Sequence, residues 1–171
     1  MLCEPGRTIT YSMYLPETAV AGVSFRKSYA LLDDWAVRAF NAIGVPASYR
    51  EINDIISPRG KIAGAAQARR RGFVLHHTTI AYAMDAAVLT RLIRIGRERL
   101  VERGVRSAEK EVSPLSWFTE LSCDGVAASL STYFERECGA RETKPLAVEL
   151  DAAQRLVETK YGTPEWIDRL S

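Results

Sequence analysis

Residues 61–82 constrain the fold most, because they read as two β-strands joined by a tight turn. Lys61–Ala68 and Phe73–Tyr82 are runs of apolar and small residues. Between them stand three arginines and Gly72, a combination typical of a solvated hairpin tip. We therefore predict a β-hairpin, around which the other elements form a mainly antiparallel sheet packed with helices.

The first strand of this hairpin carries a single cation among small residues. If its side chains simply alternate, one face holds Lys61, Ala63, Ala65 and Gln67, and the other holds Ile62, Gly64, Ala66 and Ala68. The lack of bulk around Gly64 would let a ligand or another segment lie close to the backbone. Two interpretations of Lys61 stay open at this level. It is either a solvated charge that discourages strand pairing, or a fixed ammonium that binds a phosphate or a developing oxyanion.

The region before the hairpin predicts a strand followed by a long helix. Arg7–Leu15 alternates as a strand does. Ser24 is a suitable N-cap, and apolar residues then recur at steps of three and four as far as Ile43. Gly44 stands where a left-handed C-terminal cap is expected, so we predict that the helix ends there.

Polar residues in the predicted strands are candidates for a site. Asn53 and Asp54 interrupt a strand predicted over Ala47–Ile56. They are equally compatible with a bend and with a binding role, because an unpartnered carboxylate is costly to bury. On the second hairpin strand His76 and His77 point to opposite faces, and a strand histidine is more often a hydrogen-bonded core residue than a catalyst.

The rest of the chain predicts further helices, one short strand and one solvated segment. The predicted elements are a helix capped by Asp85, a charge-rich solvated stretch over 96–111, a helix from Asp124 to about Cys138, a strand over Leu146–Leu150, a helix from Asp151 to Lys160, and a last turn at Pro164–Ile167.

Composition and length exclude several classes of protein. With 171 residues we predict one domain spanning 1–171. The 23 basic and 21 acidic residues are too balanced for a nucleic-acid-binding protein. Neither a leader peptide nor a membrane-spanning run of about 18 apolar residues is evident, so no membrane association is expected. Three widely spaced cysteines without a metal-binding pattern favour free thiols in a reducing compartment, and we expect the cytoplasm.

Several motifs together resemble the lipoate-protein ligase family, which includes lipoyl and octanoyl transferases and lies within the biotin/lipoate ligase superfamily. The matching segments are Asn53-Asp54-Ile55, Gly60–Gln67, Gly72, His77, Val112–Leu115, Lys160–Trp166 and Gly6–Ser12. The family's glycine-rich R-R-x-x-G-G-G loop has no counterpart in this sequence. From this we expect an N-terminally incomplete domain whose ligand site is only half enclosed.

The resemblance implies a fold and a reaction. The fold is α/β (α+β), a class II aminoacyl-synthetase/biotin-ligase-like catalytic domain with the lysine strand central in its sheet. The reaction is ATP-dependent activation of lipoate or octanoate to an acyl-adenylate, followed by transfer to a lysine of an acyl-carrier domain. Such carriers are the lipoyl domain of a dehydrogenase complex and the glycine-cleavage H protein.

The resemblance also implies roles for individual residues. Lys61 would be an electrostatic catalyst, and Asp54 would orient phosphate or Mg²⁺. The other implied cofactor-binding residues are Asn53, Gly64, Ala65 and His77.

Two alternatives to the ligase reaction remain. A transferase that forms a thioester needs a cysteine near the lysine strand, but none lies between Cys3 and Cys123. The second alternative is that the chain is a non-catalytic truncated paralogue, or a subunit whose site is completed by a separate chain.

Overall fold

The structure, a computed structural model, describes residues 3–84 and 111–169. It divides into two compact units, Met1–Gly139 and Ala140–Ser171, which are described separately. The single domain predicted over residues 1–171 stays a prediction. The helix predicted from Asp85 and all but the last residue of the charge-rich stretch 96–111 lie outside the described residues.

The first unit is built on a five-stranded sheet. Its strands are β1 (Thr8–Pro16), β2 (Ser48–Arg50), β3 (Asp54–Ser57), β4 (Gly60–Arg70) and β5 (Phe73–Ala81). Their order is β1-β5-β4-β3-β2, and every neighbouring pair is antiparallel. The lysine strand is β4, so its predicted central position is confirmed.

The predicted hairpin is confirmed with a shorter tip. Strands β4 and β5 pair up to Arg70 and Phe73, which leaves only Arg71 and Gly72 in the turn. Both turn residues have positive φ, 54° and 80°, as a two-residue type I′ turn requires.

Helix α1 (Phe25–Ala42) covers one face of the sheet, and its predicted start is confirmed. The Ser24 hydroxyl accepts a hydrogen bond from the Lys27 backbone N–H, and Gly44 follows the helix with a φ of 83°. Side chains of α1, the sheet and α2 (Cys123–Cys138) share one core: Trp35, Ala36, Ala39, Phe40, Ile55, Ile62, Ala63, Ile80, Val126 and Leu130.

The predicted cap of α2 is wrong by two residues. Ser122, rather than Asp124, accepts the hydrogen bond from the Gly125 backbone N–H, at 3.1 Å. Asp124 instead lies in the first turn, where its negative charge complements the helix dipole.

The second unit is helical. It contains α3 (Ala147–Leu156), a π-helical turn at Val157–Tyr161 and α4 (Pro164–Ile167), which confirms the predicted last turn. The strand predicted over Leu146–Leu150 is wrong, and so is the cap at Asp151, which lies inside α3. The Glu149 carboxylate accepts a hydrogen bond from the Leu146 backbone N–H at 2.8 Å, which helps to fix the helix start here.

None of the helices in the described part of the chain combines the length and the apolar character that crossing a bilayer requires.

Candidate active site

A β-bulge in β4 decides which face carries Lys61. Ile55 pairs with Ala63 and the next residue, Ile56, pairs with Lys61, so Ile62 has no partner on β3. The extra residue shifts the side-chain alternation by one position. Lys61 therefore shares a face with Gly64, and the predicted face of Lys61, Ala63, Ala65 and Gln67 is wrong.

Lys61 is held by a buried carboxylate. Its ammonium lies 2.6 Å from Oδ1 of Asp54, which is fully buried, whereas the lysine side chain is 26% exposed. A Cβ placed on Gly64 would lie 2.8 Å from Cε of Lys61 and 3.8 Å from the Asp54 carboxylate. The close approach at this glycine is thus made by the lysine itself, whose stem crosses the bare backbone.

The backbone of Lys61 is fixed by a segment about fifty residues further along the chain. Its N–H donates to the carbonyl of Glu111 at 2.7 Å, and its carbonyl accepts from the N–H of Ser113 at 2.8 Å. Gly60 has a φ of 138°, and a Cβ there would lie 2.5 Å from the Glu111 carbonyl oxygen. Glycine is therefore required before the lysine. The first two residues of the matching segment Val112–Leu115 lie against this strand, a positioning role that the sequence did not reveal.

Each oxygen of the Asp54 carboxylate faces a basic side chain. One carboxylate oxygen binds Lys61, and the other lies 3.9 Å from Nη2 of Arg50. Within residues 3–84 and 111–169, no group of three or more acidic, histidine or cysteine side chains could hold a metal ion. Mg²⁺ requires oxygen ligands in a nearly octahedral set. The metal role of Asp54 stays a prediction, and no step below is routed through a metal.

Asn53 and Ala65 bind each other instead of facing Lys61. The Asn53 side-chain amide donates to the Ala65 carbonyl at 2.6 Å, and the Ala65 N–H donates to the Asn53 carbonyl at 2.8 Å. Ala65 pairs with Thr78, whose hydroxyl bonds to α1, so its methyl lies on the helix-facing side. The two residues fasten the chain before β3 to β4, and their cofactor-binding roles stay predictions.

His77 lies on the same open face as Gly64. Gly64 pairs with Thr79, and Ala66 pairs with His77. The His77 ring contacts the Ser12 hydroxyl through Nδ1 at 2.8 Å and the Thr79 hydroxyl through Nε2 at 3.4 Å. The predicted opposition of the two histidines is confirmed, because the buried His76 lies on the helix side. Ser12 and Thr79 were missed by sequence reasoning, since hydroxyls on strands are common and carry no distinct signal.

The open face is therefore a strip with a cation at one end. Lys61 and Asp54 lie beside Gly64, the exposed Ala66 continues the strip, and His77 flanks it. An ammonium bound by a carboxylate on one side has further N–H donors for an anionic oxygen on the other. The glycine and alanine backbone leaves room for an extended chain beside that oxygen.

Comparison with known protein families matches residues 2–135 to the lipoyl protein ligase A/B catalytic domain. An octanoyltransferase LipM of an Exiguobacterium species is 29% identical over 188 aligned positions, which cover 93% of this chain and 67% of the relative. Subunit 1 of lipoate-protein ligase A from Thermoplasma acidophilum is 25% identical over 150 positions, covering 81% of this chain and 57% of the relative. This chain thus spans between a half and two thirds of the length of these two relatives.

Solved structures share the fold. A bi-partite lipoate protein ligase from T. acidophilum, studied with its E2 lipoyl domain, superposes with a TM-score of 0.72 at 22% identity, covering 93% of this chain and 63% of that chain. A lipoate-protein ligase A bound with ATP gives 0.61 at 22% identity, with 93% and 62% coverage. The biotin protein ligase of Aquifex aeolicus gives 0.52 at 11% identity, with 77% and 53% coverage. These similarities confirm the predicted fold class.

Proposed function

Because the chain belongs to the lipoyl protein ligase A/B catalytic domain family, we propose that it carries the lysine-bearing part of a protein-lipoylating enzyme. In this proposal ATP activates lipoate or octanoate as an acyl-adenylate, and a lysine of an acyl-carrier domain then takes the acyl group as an amide. The observation that supports it is the Lys61 ammonium, fixed by Asp54 over the bare backbone of Gly64.

In both steps of the proposed reaction the Lys61 ammonium stabilises negative charge that develops in the transition state. In the first, the acid carboxylate attacks the α-phosphate and pyrophosphate leaves. In the second, the carrier amine attacks the acyl carbonyl and AMP leaves. Negative charge develops on oxygen in each transition state, and a preorganised cation stabilises it by several kcal/mol. Asp54 holds the ammonium in place, so it is a positioning residue for Lys61.

The remaining residues shape the site in this proposal. Gly64 gives the lysine stem its path, and Ala66 offers the acyl chain a floor without side-chain bulk. His77, held by Ser12 and Thr79, lies on the nucleotide side, as the family resemblance implies.

The raised pKa of the Cys123 thiol favours the adenylate route over a thioester route. Burial, and to a smaller extent the neighbouring Asp124, raises the pKa of the Cys123 thiol. A raised pKa lowers the fraction of thiolate, which is the nucleophilic form. The other two cysteines, Cys3 and Cys138, are exposed free thiols. Octanoyl transfer through a thioester remains the second candidate because one of the relatives is an octanoyltransferase.

A second polypeptide or a further segment completes the site in our proposal. The chain spans 57% of the T. acidophilum ligase subunit, and a T. acidophilum ligase of the same fold is described as bi-partite. Small-molecule sites usually bury most of the ligand surface, whereas the strip beside Gly64 lies on an open sheet face. The partners we propose are therefore a complementing chain and the lipoyl-acceptor carrier domain.

The test combines binding with turnover. Calorimetry should detect weak or no binding of a lipoyl-adenylate analogue to the chain alone, and binding should appear when the glycine-rich segment of a relative is added. The completed enzyme should exchange pyrophosphate into ATP only with lipoate or octanoate present, and mass spectrometry should detect the acylated carrier. Carrier acylation from an octanoyl-carrier without ATP would support the thioester candidate instead. Tight binding and carrier lipoylation by the isolated chain would contradict the need for a partner.

A further inference from the structure

Asp33 is a fully buried carboxylate on the sheet-facing side of α1. Its Oδ1 accepts three hydrogen bonds, from the Tyr11 hydroxyl at 3.0 Å, His76 Nε2 at 2.8 Å and the Thr78 hydroxyl at 3.2 Å. A buried carboxylate needs such donors, because burial without them is costly. One oxygen atom of the helix therefore joins side chains of β1 and β5.

The residue that follows each of these three donors points to the opposite face of the sheet, because strand side chains alternate. These followers are Ser12, His77 and Thr79, and His77 contacts both of the others. The His77 ring binds the Ser12 hydroxyl at 2.8 Å and the Thr79 hydroxyl at 3.4 Å. Strands β1 and β5 thus carry the three donors to Asp33 on the helix side of the sheet, and His77 with its two hydroxyl partners on the opposite side.

From this arrangement we infer that Asp33 is a positioning residue for His77. It fixes the backbone of residues 11, 76 and 78, and these fix the register and tilt of Ser12, His77 and Thr79 directly above. Without Asp33, β1 and β5 keep their backbone hydrogen bonds but lose the common anchor that orients them against α1.

The orientation of His76 is set from a second strand, which strengthens the anchor. The Gln67 side-chain amide lies 3.1 Å from His76 Nδ1 and donates to it, so the His76 proton lies on Nε2 and is donated to Asp33. Gln67 in turn follows Ala66, the cross-strand partner of His77. All three strands around His77 are therefore tied to the same carboxylate.

The chain allows a direct measurement, because it contains only two histidines. The ¹⁵N chemical shifts of the His77 ring nitrogens, measured by NMR on the 171-residue chain at pH 8, report the tautomer of this ring. A His77→Gln variant assigns the signals. The wild-type ring, held on both sides, should show widely separated Nδ1 and Nε2 shifts. Asp33→Ala should reduce that separation by about half or more, since a ring that is no longer oriented exchanges between tautomers.

Matched variants separate positioning from general damage. Asp33→Asn keeps an acceptor oxygen for the two hydroxyls and should restore part of the separation. Asp34→Ala removes the exposed neighbouring carboxylate, which binds Arg38 at 3.0 Å, and should leave the His77 shifts unchanged. Unchanged His77 shifts in folded Asp33→Ala, or an equal effect from Asp34→Ala, would overturn the inference.

If Asp33→Ala does not fold, milder variants test whether Asp33 positions His77. Tyr11→Phe and Thr78→Val each remove one donor to Asp33 and preserve side-chain shape. Each should narrow the separation of the His77 shifts in the same direction, and unchanged shifts in both would overturn the inference.

The catalytic consequence rests on the proposed function and has its own measurement. In the completed enzyme, Asp33→Asn should raise KM for ATP about tenfold with a smaller change in kcat, since it displaces a nucleotide-side group. Altered His77 shifts with an unchanged KM would support the positioning role of Asp33 and contradict the proposed role of His77.

Discussion

Lys61 Nζ lies 2.6 Å from Asp54 Oδ1, although the lysine is partly exposed and the carboxylate is fully buried. The two residues lie on neighbouring strands, and the bulge at Ile62 brings them to the same face. The pair supplies a cation whose position is set by the protein interior and whose free side is open to ligand.

Replacing Lys61 tests the proposed electrostatic catalysis directly. In the completed enzyme, Lys61→Ala should lower acyl-adenylate formation by about 100-fold or more, the scale of losing one preorganised charge donor. Pyrophosphate exchange with lipoate measures this step. Lys27→Ala, on the exposed start of α1, is the matched control. Near-normal exchange in Lys61→Ala would remove Lys61 from the mechanism.

Gly64→Ala should displace the lysine without unfolding the sheet. The added methyl would meet the far end of the flexible Lys61 side chain, with Cε at 2.8 Å, so the lysine moves rather than the backbone. A displacement of about 1 Å at a reacting centre costs up to roughly 100-fold in rate. We expect a cooperative unfolding transition close to that of the wild type, together with a large loss of pyrophosphate exchange. Full activity would show that the path of the lysine over Gly64 is not needed.

The ion pair should appear as a non-additive effect on stability. Asp54→Asn and Lys61→Met, alone and combined, define a double-mutant cycle measured by urea unfolding. We expect an interaction free energy of about 1–3 kcal/mol, because the two groups are in direct contact and one is buried. Arg50→Met is the control partner for Asp54, since Arg50 is half exposed and its Nη2 lies 3.9 Å from the carboxylate. It should couple by less than about 1 kcal/mol. Simple additivity of Asp54→Asn and Lys61→Met would contradict the pair.

Tyr11 should make stability fall at alkaline pH. Burial, and next the nearby Asp33 charge, raises the pKa of Tyr11 well above its usual value of 10.0. Above pH 10.0 the unfolded chain releases the Tyr11 proton and the folded chain keeps it. Deprotonation therefore stabilises the unfolded state and lowers the free energy of unfolding. The contribution is fully present below that pH. It is lost as the pH rises, by at most about 1.4 kcal/mol per unit for one group.

Tyr11→Phe should therefore flatten the dependence of unfolding free energy on pH above 10.0 relative to wild type. Both proteins are compared by urea unfolding, with pH 8 as the reference for the lost hydrogen bond. Parallel curves for the two proteins at alkaline pH would contradict the raised pKa.

Local signals predicted much of the fold. The helix after Ser24 and the turn at Arg71-Gly72 depend on capping and positive φ, which neighbouring residues determine. The helix at Ala147 was missed because Leu146 and Leu150 fit both an alternating strand and one helical face. The Glu149 carboxylate favours the helix, since it accepts a hydrogen bond from the backbone N–H of Leu146, the N-cap residue.

The candidate site was predicted in residue types but not in geometry. The bulge at Ile62 has no local signal, because small apolar residues follow it and the neighbouring backbone is fixed by Glu111 and Ser113, far along the chain. Asp33 did have a signal that was overlooked. It falls four residues after Tyr29 and three before Ala36, on the buried stripe of the helix, where a carboxylate needs partners.

The unpaired Ile62 also changes what a length change in β4 means. The bulge at Ile62 shifts the side-chain alternation by one position. Before it the outward-facing residues have odd numbers, and after it they have even numbers. A residue gained at the Arg71-Gly72 tip lengthens an exposed turn and leaves the alternation of side chains along β4 unchanged. A residue lost at Ile62 would remove the bulge. Ala63 would still face the core and Lys61 would still face outward, but Lys61 would stand two positions from Gly64 instead of three and the core would lose the Ile62 side chain, so the spacing between Lys61 and Gly64 matters as well as the residues themselves.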